Sequence, residues 1–260
     1  MSLKNNIFLL KELVKRDISS RYKDSMIGGV WAFVAPLIML AVYTFVFSMV
    51  FQARWGGGDT GRTAFALNLF IGIILHGVLA ESMSRAPTVM QQHASYVKKI
   101  IFPLWLLPVV PVISGTFHAL ISLFVLLLAV LFFQGLWPWQ SLFLPFVFLP
   151  IVFFALGFSW LIAGVGVYLR DITQIMPMFI TIMMFMAPIF YPASAIPEQY
   201  RNWLLLNPLT YAVEMGRSVL FLGQLPSISA YSIYLGVAVL FAAAGLWFFS
   251  RVRKGFADVL

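Results

Sequence analysis

The stretch LFLPFVFLPIVFFALGFSWLIAGVGVYL, residues 142–169, contains no charged side chain. A helix needs roughly 20 apolar residues to cross the hydrocarbon core of a bilayer, so this stretch is long enough to span a membrane. The sequence predicts an all-α integral membrane protein with six transmembrane helices. The other five apolar stretches are 27–51, 64–83, 100–133, 172–191 and 228–250.

The composition of the whole chain agrees with this fold class. Of its 260 residues, 62% are hydrophobic and only 10% are charged, as is typical of integral membrane proteins. The net charge of +8 does not indicate nucleic-acid binding, because the basic residues lie between apolar runs. The chain has no cysteine, which excludes disulfides and thiolate metal sites. The N-terminal segment is too charged for a signal peptide, so we expect it to be retained.

The distribution of basic residues predicts the orientation of the chain. Six spans place both termini on one side, and lysine and arginine are enriched on the cytoplasmic side of membrane proteins. With cytoplasmic termini, the inner segments hold 13 basic residues and the outer segments hold 4, which together account for all 17. Both termini are therefore predicted to be cytoplasmic.

Residues 1–26 precede the transmembrane domain, 27–260, and have an amphipathic pattern. Apolar residues recur every three or four positions from Leu3 to Tyr22, and charged residues occupy the other faces. This pattern predicts a helix of about twenty residues lying along the inner leaflet. A surface anchor and a docking surface for a partner both remain possible for this helix.

The segment 193–227, between spans five and six, lies outside on this topology and is unusually apolar for a loop. It is predicted to form two short helices broken at Asn207-Pro208. Backbone at membrane depth is tolerated only where it is buried in protein or lines a water-filled path, so a re-entrant pair of helices indicates an outer gate. Glu214 and Arg217 have the spacing of an ion pair, with either a structural role or a role in translocation.

Residues that could support catalysis or bind a metal are few and scattered. Glu81 is expected to be neutralised by water or by Arg85, and His118 is expected to hydrogen-bond between helices. GGGDTGRT, residues 56–63, is similar to a phosphate-binding loop but joins two spans on the outer side, so we predict a turn. We expect no metal, cofactor or catalytic site in this chain, because its titratable candidates lack the required spacing. These candidates are His76, Glu81, His93 and His118.

Several motifs, in order along the chain, resemble those of a known family. They are RYKDSMIGGVWAFVAP (21–36), YVKKIIFP (96–103), YLRDI (168–172), PIFYP (188–192), LNPLT (206–210) and KGFADVL (254–260). They resemble the membrane subunit of bacterial polysaccharide-exporting ABC transporters, of which O-antigen and capsule exporters are the most similar group. The resemblance runs nearly from end to end.

The resemblance implies an inner-membrane permease that exports an O-antigen-like polysaccharide from cytoplasm to periplasm, as in lipopolysaccharide biosynthesis. Such subunits form a homodimer, pair with two copies of a separate ATPase that binds ATP and Mg²⁺, and move a glycan carried on an undecaprenyl-type pyrophosphate. Capsule or teichoic-acid-type polymers are the alternative cargo. A stand-alone channel or secondary transporter and a membrane enzyme are the rival classes. The centres of spans one, four, five and six offer no ionisable residue for a channel or secondary transporter. A membrane enzyme needs a carboxylate or histidine cluster at one interface, and only the scattered His76, Glu81 and His93 are available.

The resemblance also implies three sets of site residues. The basic residues Arg16 and Arg21 could in addition attract the lipid pyrophosphate, and position 93 is asparagine in many relatives. The loop 85–99 and the N-terminal helix supply the ATPase-coupling set: Arg16, Arg21, Tyr22, Lys23, Gln92, His93, Ser95, Tyr96, Lys98 and Lys99. The translocation path is assigned to Tyr43, Phe47, Phe185, Phe190 and Tyr191. The outer gate is assigned to Asn207, Pro208, Tyr211, Glu214 and Arg217.

Overall fold

The computed structural model describes residues 3–23, 25–50, 62–97, 102–135 and 137–259, and these residues form twelve α-helices and no strand. The helices are α1 (Leu3–Tyr22), α2 (Trp31–Thr44), α3 (Arg62–Arg85), α4 (Val89–Gln92), α5 (Ala94–Val97), α6 (Val109–Gln134), α7 (Leu144–Tyr168), α8 (Ile172–Phe185), α9 (Glu198–Leu204), α10 (Pro208–Arg217), α11 (Ile228–Val252) and α12 (Phe256–Val259).

The predicted all-α membrane fold is confirmed. In the described part of the chain, five helical segments are long and apolar enough to cross a membrane. They correspond to the predicted spans one, two, three, four and six. The segments are Gly28–Phe47, Ala64–Gln92, Leu104–Gln134, Trp139–Tyr168 and Ile228–Gly255.

The fifth apolar helix is shorter than the sequence suggested. α8 ends at Phe185 rather than at Tyr191, and its 14 residues rise roughly 21 Å, less than the hydrocarbon core of about 30 Å. The residues before a proline avoid helical geometry, and Pro188 follows shortly after the helix end. The chain then turns before the two short helices α9 and α10.

α3 lies at the centre of the helix bundle. It packs against α2, α6, α7, α8 and α10, and most of its side chains are buried. Glycines bring its neighbours close. A Cβ atom on Gly72 would lie 3.1 Å from Cγ2 of Ile189, and one on Gly216 in α10 would lie 3.2 Å from Cγ1 of Ile71. α3 therefore contacts the rest of the bundle along most of its length.

α7 and α11 approach each other at a pair of glycines. A Cβ atom on Gly245 would lie 2.5 Å from the carbonyl oxygen of Gly157, and one on Gly157 would lie 2.5 Å from Cδ1 of Phe241. Small residues at helix contacts are common in membrane proteins because they let two backbones pack directly. This glycine contact leaves no room for a side chain.

We expect Gly245→Ala to lower the thermal unfolding temperature in detergent, because the added methyl group collides with the backbone of α7. Gly236→Ala is the matched control, since a Cβ atom at Gly236 on the same helix meets nothing within 4 Å. Alanine favours a helix over glycine by about 1 kcal/mol, so the control should keep or raise the unfolding temperature. Equal effects of the two substitutions would contradict the close contact.

Candidate functional site

Five side chains near one end of α3 form an ion cluster: Asp17, Arg21, Glu81, Arg85 and His118. Both terminal nitrogens of Arg85 donate to the Asp17 carboxylate, Nη1 to Oδ2 at 3.0 Å. Arg21 donates to both carboxylate oxygens of Glu81, and Nη1 of Arg85 reaches Oε1 of Glu81 at 3.3 Å. Two bidentate arginine–carboxylate pairs, the strongest kind of charged hydrogen bond, therefore join α1 to α3.

His118 extends the ion cluster to α6. Its Nδ1 lies 3.1 Å from Nη1 of Arg21. A guanidinium group only donates hydrogen bonds, so Nδ1 accepts, and the neutral ring carries its hydrogen on Nε2. Gly115, one turn earlier on α6, lets Glu81 approach, because a Cβ atom there would lie 3.3 Å from Cβ of Glu81. The ion cluster thus fixes three helices at one point.

The charges of the ion cluster keep Asp17 ionised. Burial alone raises the pKa of the Asp17 carboxyl group, but the hydrogen bonds and the positive charge of Arg85 outweigh burial and leave this pKa below its usual value. Two arginines face two carboxylates, so the formal charges balance when His118 is neutral. A matched set of charges of this kind is suited to the edge of a membrane.

The predicted ATPase-coupling residues have different environments. Arg21 belongs to the ion cluster, whereas Arg16, Lys23, Gln92 and Ser95 are exposed. Lys98 and Lys99 lie outside the described residues. A cavity of about 920 Å³ lies between α1 and the loop that follows α3. Its polar lining residues include Arg16, Tyr22, Lys23, Arg85, Gln92 and His93.

The loop after α3 is held by its own contacts. Nδ1 of His93 donates to the carbonyl oxygen of Val89 at 2.9 Å, and the ring of Tyr96 stacks on Phe102 with centroids 4.7 Å apart. Nε2 of Gln91 donates to the carbonyl oxygen of Gly166 in α7 at 3.3 Å. The loop is therefore attached to the bundle and does not extend freely away from it.

Arg217 of α10 forms a second polar centre, near the opposite end of α3. Its guanidinium donates to the backbone carbonyl oxygens of Asn68, Pro188 and Ile189 at 3.0, 2.5 and 2.8 Å. It also donates to Glu214 at 3.2 Å. The side chain of Arg217 is only 5% exposed, whereas that of Glu214 is 43% exposed. Arg217 therefore ties α10 to α3 and to the turn after α8, which favours a structural role for this pair.

Asn207 and Pro208 stand at the junction of α9 and α10. Oδ1 of Asn207 accepts from the backbone nitrogen of Leu209 at 3.0 Å, which caps α10, and its Nδ2 donates to the carbonyl oxygen of Met183 in α8 at 2.7 Å. The hydroxyl of Tyr234 in α11 donates to the carbonyl oxygen of Pro208 at 2.6 Å, and its ring lies 4.8 Å from that of Tyr211. The junction is thus anchored to two longer helices.

The aromatic residues predicted for the translocation path form two separate groups. Tyr43 and Phe47 lie on α2 and its continuation, with their rings 6.3 and 5.2 Å from phenylalanines of α3. Phe185 and Phe190 stack at 5.4 Å, and the Tyr191 hydroxyl donates to the carbonyl oxygen of Phe185 at 2.9 Å. α2 and α8 both pack on α3, so the two groups are carried by different neighbours of the central helix.

The pairing of Asp17 with Arg85 and of Arg21 with Glu81 was not predicted from the sequence. The sequence does contain a signal for this pairing, because α1 and α3 each carry an acidic residue and, four positions later, a basic one. Residues four apart share a helix face, and the two charge patterns match when the helices run in opposite directions. The contacts of Arg217 with backbone carbonyls leave no such signal, since every residue has a carbonyl group.

Comparison with known proteins agrees with this architecture of a multi-pass membrane protein. The family of ABC-2 type transporters matches residues 9–221, and the chain belongs to this family. It is 25% identical to the O-antigen export system permease protein RfbA of Myxococcus xanthus, over 96% of this chain and 94% of that protein. It is 26% identical to RfbA of Klebsiella pneumoniae, over 97% and 95%, and 22% identical to the polysialic acid transport protein KpsM of Escherichia coli, over 83% and 82%. The predicted relationship to polysaccharide exporters is confirmed.

We expect Arg217→Lys to reduce the free energy of unfolding by about 3 kcal/mol. Lysine keeps the charge, but its single nitrogen does not reproduce the planar guanidinium group, which donates hydrogen bonds to three carbonyl oxygens. Denaturant unfolding in mixed micelles measures the effect. Arg201→Lys is the control, because Arg201 is 43% exposed although it also donates to two carbonyls. Its effect should stay below about 0.5 kcal/mol, and similar losses for both variants would contradict the role of burial.

The lowered pKa of Asp17 predicts a dependence on pH. A group with a depressed folded-state pKa adds stability that is fully present above its unfolded pKa of about 3.9 and is lost as pH falls through the folded value. The difference in unfolding temperature between wild type and Asp17→Asn should therefore be constant above about pH 5 and shrink below about pH 4. Glu12→Gln, at an exposed position of the same helix, controls for net charge. A difference that persists unchanged to low pH would contradict an ionised Asp17 paired with Arg85.

Proposed function

We propose that this chain is the membrane-spanning permease subunit of an ATP-driven exporter that moves a lipid-linked, O-antigen-like polysaccharide across the bacterial inner membrane. The observation that carries this proposal is the nearly complete alignment with proteins named as O-antigen export permeases, which covers 96–97% of the chain. Capsular polysaccharide is the second candidate cargo. It is supported by the shorter alignments with KpsM and with the Neisseria meningitidis capsule polysaccharide export inner-membrane protein CtrC, over 80–83% of the chain.

The energy source in this proposal is a separate ATPase subunit that binds ATP and Mg²⁺. Two copies of this chain and two ATPase subunits form the exporter, with both termini of this chain in the cytoplasm. α1 and the loop after α3 form the docking surface. The exposed polar residues Arg16, Lys23, Gln92 and Ser95 are suited to contact a soluble partner, whereas Arg21 holds α1 on the bundle.

The path for the glycan lies between two copies of the chain. Leu40 is the one buried residue among the described residues of α2, and the helix exposes apolar side chains that include Leu37, Ile38 and Val42. α8 likewise exposes Met178 and Phe185. In a homodimer these two surfaces face each other across the subunit boundary, and aromatic rings such as Phe185 offer flat apolar surfaces for sugar rings.

The first experiment is to purify the tagged protein from its host in mild detergent and to identify stoichiometric partners by mass spectrometry. We expect one copy of a soluble ATPase per copy of this chain. After reconstitution in liposomes, lipid-linked polysaccharide should cross the membrane only when ATP is present. Movement or modification of the glycan without ATP would overturn the proposal.

A matched pair of variants tests the docking surface. Gln92→Arg, in the loop after α3, should reduce the amount of ATPase that co-purifies. Gln199→Arg introduces the same charge at an exposed position of α9, at the predicted outer side, and should leave the recovered ATPase unchanged. Equal recovery with both variants would place the docking surface elsewhere.

A further inference from the structure

The two polar centres of this protein lie on one helix. Glu81 and Arg85 of α3 hold α1 through the ion cluster, and the carbonyl oxygen of Asn68, also in α3, accepts from Arg217 of α10. At 1.5 Å per residue, the rise from Asn68 to Glu81 is roughly 20 Å. A single helix thus connects the N-terminal helix to the gate helix.

One side of α3 is close-packed between these centres, whereas another side borders a cavity of about 300 Å³ that α2 and α6 also line. Leu75, Val78, Leu79 and Met83 are at most 1% exposed, and Nε2 of His76 donates to the carbonyl oxygen of Ile180 in α8 at 3.2 Å. Close-packed interiors have few voids that could absorb a displacement, and they transmit strain. A shift of α3 therefore displaces α8 and α10 as well.

Arg85 lies where three elements meet. It is the last residue of α3, it binds Asp17 of α1, and the loop that follows begins at the next residue. That loop is pressed against α7, because a Cβ atom on Gly166 would lie 2.5 Å from the carbonyl oxygen of Pro87. The position of Arg85 is therefore set by α3, by α1 and by the start of the loop.

Both half-buried apolar side chains and the ion cluster hold α1 on the bundle, but only the ion cluster fixes its register. Leu10 and Leu13 of α1 pack on the core only in part, and Ile7 and Phe8 are 60% and 63% exposed. Apolar contacts have no direction, so a helix held by them alone can slide along the bundle. Two bidentate arginine–carboxylate pairs fix one register, because each requires a defined geometry of both partners.

We propose that Arg85 and Glu81 are positioning residues that link movement of α1 to the outer gate helices through α3. While the ion cluster is intact, α1, the loop and α3 move as one unit, and Arg217 carries the displacement to α10. When the ion cluster is broken, α1 moves without α3 and the gate helices do not follow. The source of the movement rests on the proposed function, but the mechanical link does not.

The link can be tested without ATP or glycan. Because the chain has no cysteine, Leu206→Cys introduces a single thiol just before α10, at a residue that is 76% exposed. The probe is a membrane-impermeant maleimide, and the protein is the full chain in lipid nanodiscs. Adding Arg85→Ala should change the rate of thiol modification at least threefold. Asp17→Asn, which keeps the shape of the side chain, should act in the same direction.

Two variants control this measurement. Arg170→Ala removes an exposed arginine that has no part in the ion cluster and should leave the rate of modification unchanged. Arg85→Lys retains a charge and should restore part of the parent rate. A mechanical link through α3 acts in both directions, so Arg217→Lys should change the modification rate of Ser19→Cys on α1. Unchanged rates in both directions would overturn the inference, whether or not the proposed function holds.

A second measurement separates positioning from a general loss of structure. In the reconstituted complex, Arg85→Ala should keep ATP hydrolysis within about twofold while polysaccharide transport falls at least tenfold. A purely structural defect lowers both rates together, and that result would overturn the assignment of Arg85 as a positioning residue. Absence of ATP-dependent transport in the parent protein would instead contradict the proposed function, and the thiol experiment would still decide the link.

Discussion

The need to neutralise Glu81 determines how one end of this protein is built. A carboxylate inside the apolar part of a membrane raises the free energy of the inserted helix by on the order of 3 kcal/mol unless it is paired or reaches water. Glu81 accepts hydrogen bonds from Arg21 of α1 and from Arg85 of its own helix. His118 of α6 in turn bonds to Arg21. An N-terminal helix whose described apolar side chains are at most half-buried is thereby held at a defined place.

A buried charge must also be neutralised near the opposite end of α3, but there the charge is the cation of Arg217 and its partners are mainly backbone carbonyl groups. α8 ends early, and the carbonyl groups of Pro188 and Ile189 in the turn after it need donors. Arg217 supplies these donors and also bonds to Asn68. The short fifth helix and the buried arginine are therefore one feature, because neither the freed carbonyls nor the cation is stable in an apolar interior without the other.

The sequence predicted the architecture better than the contacts. Long apolar runs determine spans whatever their partners are, so α2, α3, α6, α7 and α11 lie within or near the predicted segments. Pro208 marked the break between α9 and α10 because proline begins helices and interrupts them. Hydropathy does not determine where a helix ends, so the apolar run to Tyr191 did not reveal that α8 ends at Phe185.

The candidate site was predictable only in part, because only some of its contacts leave a pattern in the sequence. The Glu214–Arg217 pair follows from helical spacing, and the cross-helix pairs of the ion cluster have a matching order of charges. The bonds from Arg217 to backbone carbonyls depend on the three-dimensional path of the chain. The residues predicted for the translocation path came from the resemblance, which indicates the first and fifth spans but does not reveal which face of each helix points into the path.

The glycine contact between α7 and α11 has a consequence for how the molecule works. Two backbones in direct contact, with Phe241 filling the space beside them, do not separate or rotate without opening a void in the apolar interior. α12 adds to this unit, because Phe256 is fully buried and packs on Phe249 and Tyr168. α7, α11 and α12 therefore move as a single rigid body in any rearrangement of the chain.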